Sequence, residues 1–169
     1  MQRNGFMWST RIALVLAVVA GLTTTAGATS LSYEVSAKAC FNCTTSGAFT
    51  TTTSYSGVTF TGLTDVAGTA DSSGSTSLIL GTFSRQNGSG GNYTDSLVGL
   101  DFVLQLTFTV PTDVVGGSDE LTATIVGKNG SPLDFDFDNT PKLYTFSSSA
   151  GSGSFYFSVT DVNSITKNS

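Results

Sequence analysis

Between Leu100 and Pro111 the chain reads LDFVLQLTFTVP, with Leu100, Phe102, Leu104, Leu106, Phe108 and Val110 in one phase. Asp101, Val103, Gln105, Thr107 and Thr109 occupy the other phase, so the period is two and one face is wet. This is the pattern of a half-buried β-strand, ended by Pro111, which has no amide to donate to a ladder. LSYEVSAK repeats the alternation through Leu31, Tyr33 and Val35, and is expected to be the first strand of the folded domain. AFTTTTSYSGVTFTGL is rich in β-branched threonine and predicts one or two strands, with a turn near Ser56-Gly57 and Val58, Phe60 and Leu63 as its apolar positions.

Asp71 to Ser75 reads as a loop, and SLILGTFSR follows as a strand whose buried face is ambiguous. Leu78, Leu80, Thr82 and Ser84 share one phase, whereas Ile79, Gly81 and Phe83 share the other. QNGSGGNYTD is a connection, and DVVGGSDE turns the chain after the long strand. LTATIVG, with Leu121, Ala123 and Ile125 in phase, then LDFDFD, KLYTF and SFYFSVTD complete about eight or nine short strands with no helix. Turn signals at this spacing predict an all-β fold, a two-sheet antiparallel β-sandwich of jelly-roll or Ig-like type.

The N-terminus follows a different pattern. MQRNGFMWSTR carries two arginines and no acid, IALVLAVVAGL is an unbroken apolar run, and Ala26-Gly27-Ala28 supplies small residues at a signal-peptidase spacing. Residues 1–28 are therefore expected to be a secretory signal peptide cut after Ala28, leaving residues 29–169 as a single β-sandwich domain. The apolar run is shorter than the ~20 residues that a membrane-spanning helix needs, so no stable span is expected after cleavage. The expected location is secreted, at the cell surface or extracellular.

Composition narrows the function classes. All the acidic residues lie beyond residue 28, with only Lys38, Arg85, Lys128, Lys142 and Lys167 to offset them, so binding of nucleic acid through a basic face is not expected. The 169-residue chain contains no histidine, which excludes the ordinary Ser-His-Asp and Cys-His nucleophilic arrangements. Glu34 and Glu120, its two glutamates, sit in no recognisable two-carboxylate setting, so an enzyme is not expected.

Cys40-Phe41-Asn42-Cys43 is a C-x-x-C, which serves as a redox pair, half of a zinc site or a structural disulfide. With no further cysteine and no histidine, zinc lacks its remaining soft ligands, and Thr44-Thr45-Ser46-Gly47 is a poor helix opener for a low-pKa thiolate. A disulfide suits an oxidising compartment, with a thiol-redox protein as the alternative. Asp134, Asp136 and Asp138 alternate with Phe135 and Phe137, placing three carboxylates on one strand face about 6.5–7 Å apart. Such a row is either a charged solvent face or a calcium site, with Asn139 as a further oxygen ligand; no other cofactor is expected.

Trp8 falls within the leader, leaving Tyr156, out of phase with Phe155 and Phe157 and so expected to point outward, and Tyr93, in a loop, as either ordinary surface tyrosines or rings for a glycan. The sequons at Asn42, Asn87, Asn92 and Asn129 matter in a glycosylating secretory pathway.

Leu80-Gly81-Thr82-Phe83, then Asn87-Gly88, then DFVLQLTFTVP, then Leu133 to Phe137 with Asn139-Thr140-Pro141, resembles the choice-of-anchor K family of exported bacterial proteins. In that family an "LGT-hydrophobic" strand and an "NG" turn precede a strand ending in "FT-x-P", and the resemblance spans Val58 to Phe157. It implies a surface-associated domain of unassigned activity, often carried on a PEP-CTERM-type sorting tail, and no catalytic residue. Here the sequence ends at NSITKNS without such a tail, so release or a truncated gene is the expectation. Taken together, these features predict a non-enzymatic exported protein of the cell envelope or extracellular matrix. Extracellular polysaccharide or other surface proteins are its expected partners. A glycan- or calcium-binding module is the alternative.

Overall fold

The computed structural model describes residues 12–19, 30–43, 49–71, 75–85, 97–111, 114, 118–127, 132–148 and 151–165. Its strands are β1 (Ile12–Val19), β2 (Ser30–Phe41), β3 (Thr52–Tyr55), β4 (Val58–Gly62), β5 (Val66–Asp71) and β6 (Ser75–Arg85). β7 (Asp101–Val110), β8 (Ser118–Gly127), β9 (Leu133–Phe137), β10 (Lys142–Ser148), β11 (Gly151–Val159) and β12 (Val162–Ile165) follow. The fold is all-β, and every strand pairing is antiparallel. The strands form two six-stranded sheets, β10-β11-β1-β6-β4-β3 and β12-β9-β8-β7-β2-β5. The two sheets sandwich one core.

Alternation in the sequence becomes alternation in burial. Along β7, Phe102, Leu104, Leu106 and Phe108 are buried and Asp101, Thr107 and Thr109 are exposed. β2 turns Leu31, Tyr33, Val35, Ala37 and Ala39 inward on the same period. The expected turn at Ser56-Gly57 joins β3 to β4, with both residues at positive φ. Leu63, however, is exposed just beyond β4.

A bulge resolves the two phases of β6. Its register against β1 shifts between Leu14 and Val15, so Leu78 and Leu80 point inward before the shift and Gly81, Phe83 and Arg85 after it. One extra residue in one strand flips the phase, and both apolar sets are buried in turn.

More strands form than the eight or nine expected, because β5, β12 and β1 join the sheets. β5 and β12 are edge strands with little apolar pattern, which are held by pairing to β2 and β9. β1 is the apolar run of the expected leader. It lies inside the first sheet, hydrogen-bonded to β6 on one side and β11 on the other.

Aromatic rings fill the interior in two clusters. Phe102 on β7 meets Phe60 and Phe83 of the opposite sheet at 5.3 and 5.1 Å, and Phe83 lies 4.4 Å from Phe135 of β9. In the second cluster Phe108 packs against Tyr144, Phe155 and Phe157 at 5.3, 5.4 and 5.5 Å. Gly62 and Gly81 let the backbones close around Phe60, since a Cβ at either position would collide with main-chain oxygen or with the ring.

Candidate functional site

The acidic row of β9 is where the sequence most suggests chemistry. Its carboxylates do face outward, while Phe135 and Phe137 enter the core. Two of them are engaged by main-chain amides. Asp134 Oδ1 accepts from the amide of Ser164 at 2.6 Å, which pins β12 beside β9. Asp138 Oδ1 accepts from the amide of Thr140 at 2.9 Å and closes its own turn, and the Thr140 hydrogen bonds hold its carboxyl below the usual range. Asp136 is exposed opposite Thr124. Asn139 donates its side-chain amide to Asp161 Oδ1 at 3.1 Å, and the same oxygen accepts from the Phe137 amide at 2.9 Å. Among the described residues, no group of three His, Cys, Asp or Glu side chains is placed to hold a metal ion.

Cys40 and Cys43 form a disulfide with Cα atoms 5.9 Å apart. Cys40 is buried at the end of β2 opposite Val103, and the bridge closes the turn through Asn42, which adopts φ 50°. The Asn42 amide donates to the Asp101 carbonyl at 2.8 Å, fastening that turn to β7. The disulfide thus braces the exit of β2.

Glu34 and Glu120 lie apart. Glu34 stands opposite Val110 and Glu120 opposite Gln105, on the two strands that flank β7. Two strand spacings and five residues of rise separate them by roughly 19 Å, well beyond the ~5–9.5 Å of paired glycosidase carboxylates. Thr109 Oγ1 donates to Glu34 Oε1 at 2.7 Å.

Tyr156 is 41% exposed on the outer face of β11, as its phase requires, and its cross-strand partner Leu143 is 54% exposed. Ile79, 42% exposed, lies on β6 of the same sheet. Tyr93 and the sequons at Asn87, Asn92 and Asn129 lie outside the described residues.

One polar cluster escaped the sequence reading. β9 pairs only with Ala123–Gly127 of β8, so Ser118–Thr122 have no β9 partner on that side. There β10, from the other sheet, supplies Lys142 and Tyr144. The Tyr144 hydroxyl donates to Asp119 Oδ2, and the Lys142 ammonium lies 2.9 Å from the same oxygen. Burial pushes the Asp119 carboxyl up, but the Tyr144 hydroxyl, Lys142 and the Glu120 amide outweigh it and hold the carboxyl below the usual range. Burial first, and then the adjoining carboxylate, push the Tyr144 phenol far above its ordinary value. A carboxylate that keeps a phenol neutral ties the two sheets together. Arg85 plays a similar part deeper in, where its buried Nη1 donates to the Ile165 carbonyl at 3.1 Å and links β6 to β12. An arginine in the apolar phase of β6 was the available signal for that link. The Asp119 tie had none, because its partners lie 23 and 25 residues away on another sheet.

Comparison with protein-family models, with curated proteins and with solved structures finds no match. Among the described residues no helix is long and apolar enough to cross a membrane.

Proposed function

We propose that this chain is a non-enzymatic exported β-sandwich protein of the cell envelope or extracellular matrix, resembling choice-of-anchor K domains. One observation carries the non-enzymatic part. Most of the polar side chains that the sequence brought forward are engaged within the fold, Asp134 with Ser164, Asp138 with Thr140, Asn139 with Asp161, Glu34 with Thr109 and Cys40 with Cys43, while Asp136 is exposed. Asp134 is held to β12 and Asp138 to the turn after β9, and among the described residues no three acidic side chains are gathered where they could hold a metal ion. Export is supported by the leader pattern of residues 1–28 and by the disulfide, which suits an oxidising compartment.

Cell fractionation with intact-mass measurement tests the proposal. Material outside the cytoplasm that begins at Thr29 and carries the oxidised Cys40–Cys43 bridge is the expected result. Cytosolic protein with residues 1–28 intact overturns it.

The exposed Tyr156 beside Leu143 favours a second reading, a glycan-binding module that uses the outer face of β10 and β11. A glycan array probed with the wild type and with Tyr156→Ala decides it. Binding lost in the variant supports a ligand platform, and a silent array removes it.

A further inference from the structure

We propose that the processed chain is a strand acceptor: loss of residues 1–28 opens the space between β6 and β11, and that space takes an uncharged aliphatic β-strand from another polypeptide. The inference rests on the export reading above. β1 is not an edge strand that can be trimmed away. It pairs with β6 from Ile12 opposite Phe83 to Val19 opposite Ser75, and with β11 through Leu16 opposite Val159 and Ala17 opposite Ser158. Both neighbours run antiparallel to it, and in the sheet order β6 and β11 do not touch. Within this sheet, β1 is the link between the β10–β11 hairpin and the β6-β4-β3 half.

Removing it strands main-chain groups on two strands and opens the core. Phe83, Leu78 and Val159, the register partners of Ile12 and Leu16, are all buried. Open strand edges are templates for pairing, and bare apolar surface in water favours re-burial, so both favour capture of another strand. Its walls are also undefended. β11 has no charge and no proline, and β6 has no charge before its last residue, Arg85. Natural sheet edges that face water usually carry such guards.

The strand seated there defines the occupant. IALVLAVV has 8 residues, all aliphatic, without charge, glycine or proline, and runs antiparallel to both walls. Main-chain hydrogen bonds would supply affinity, and alternate side chains entering the core would supply specificity. A second copy is a poor donor. Within residues 29–165, the sequence between strands is of the kind QNGSGGNYTDS, TDVVGG and KNGSP, with no aliphatic run of that length. The donor is therefore a strand of a different polypeptide.

The test uses exported protein whose intact mass shows that it begins at Thr29. It is unfolded in guanidinium and refolded alone, with a lysine-tailed peptide of residues 12–19, or with the same peptide carrying Leu16→Asp; the full-length chain is refolded in parallel. Hydrogen exchange is read at the amides of Leu78–Phe83, Ser158 and Val159. The wild-type peptide is expected to slow exchange about tenfold or more, towards the full-length level, and the Leu16→Asp peptide to leave it unchanged.

Full protection in the mature chain alone as a monomer overturns the proposal, because the space then closes within the chain. Full protection alone but only in oligomers overturns it in favour of a second copy. Equal protection by both peptides also overturns it, as non-specific coating. A chain isolated with residues 1–28 attached fails the export reading instead and leaves β1 filling its place in cis. Unprotected amides in the full-length chain refute the placement of β1 itself.

Discussion

Replacing Tyr144 with Phe removes one hydroxyl and little else, so it isolates the tie between the sheets. The ring stays stacked on Phe155, with centroids 5.4 Å apart and planes 13° from parallel, so the aromatic packing is retained. The lost bond has an ionised acceptor, Asp119, whose side chain is 26% exposed. Hydrogen bonds to charged groups contribute about 1.5–3 kcal/mol, and partial exposure places this one near the lower end. Lys142 touches the same carboxylate but is 49% exposed. Lys142→Met should therefore cost only about 0.2–1 kcal/mol. The neutral hydroxyl outranks the ammonium here because it is the better buried of the two donors.

Urea denaturation of wild type, Tyr144→Phe, Asp119→Asn and the double variant measures both the cost and the coupling. The midpoint should fall with the slope unchanged, and the coupling between the two positions should reach about 1 kcal/mol. The pH dependence gives a second signature. The Asp119 carboxyl is held below its ordinary value in the fold, so its contribution is complete above about pH 4 and is lost as the pH falls through the lowered value. The Tyr144 phenol is raised, so the fold favours its neutral form, and that contribution is lost as the pH climbs above about 10. A Tyr144→Phe midpoint equal to wild type between pH 5 and 9, or a larger loss from Lys142→Met, would refute this ranking.

Phe102→Ala, at the centre of the first aromatic cluster, should cost about 3–5 kcal/mol by thermal or chemical denaturation, since both sheets pack on that ring. Tyr156→Ala, on the exposed face, should stay within about 0.5 kcal/mol in the same experiment. Reducing the Cys40–Cys43 bridge closes no long loop, so the loss should not exceed about 2 kcal/mol, with exchange rising around Asn42 and Asp101 rather than through the core. Calcium titrated into the protein should give no binding heat, because Asp134 and Asp138 are held to different parts of the fold and no three acidic side chains among the described residues are placed to hold a cation; a micromolar site lost in Asp136→Asn would reverse that expectation.

The period-two pattern was enough to determine which residues of β2, β7, β8, β9 and β11 face the core, and that Tyr156 faces out. Facing is a local property: successive side chains of a strand point to opposite faces whatever the strand pairs with. Burial of two phases in β6 was beyond that logic, because the bulge that joins them exists only against β1. The Asp134–Asp138 row was legible as an outward face, and the Thr140 amide that Asp138 accepts from is two residues away, but the Ser164 amide that Asp134 accepts from lies 30 residues on.

The same holds for the links that close the sandwich. Asp119 to Tyr144 spans 25 residues and Arg85 to Ile165 spans 80, each joining strands of different sheets. Sequence alone showed an apolar N-terminal run suited to a leader; only the sheet order placed that run between β6 and β11. Alternation along one strand specifies which face is apolar but not which strand lies beside it. Hydrogen-bond register and packing across the core decide the neighbours, and both are properties of the assembled sheets.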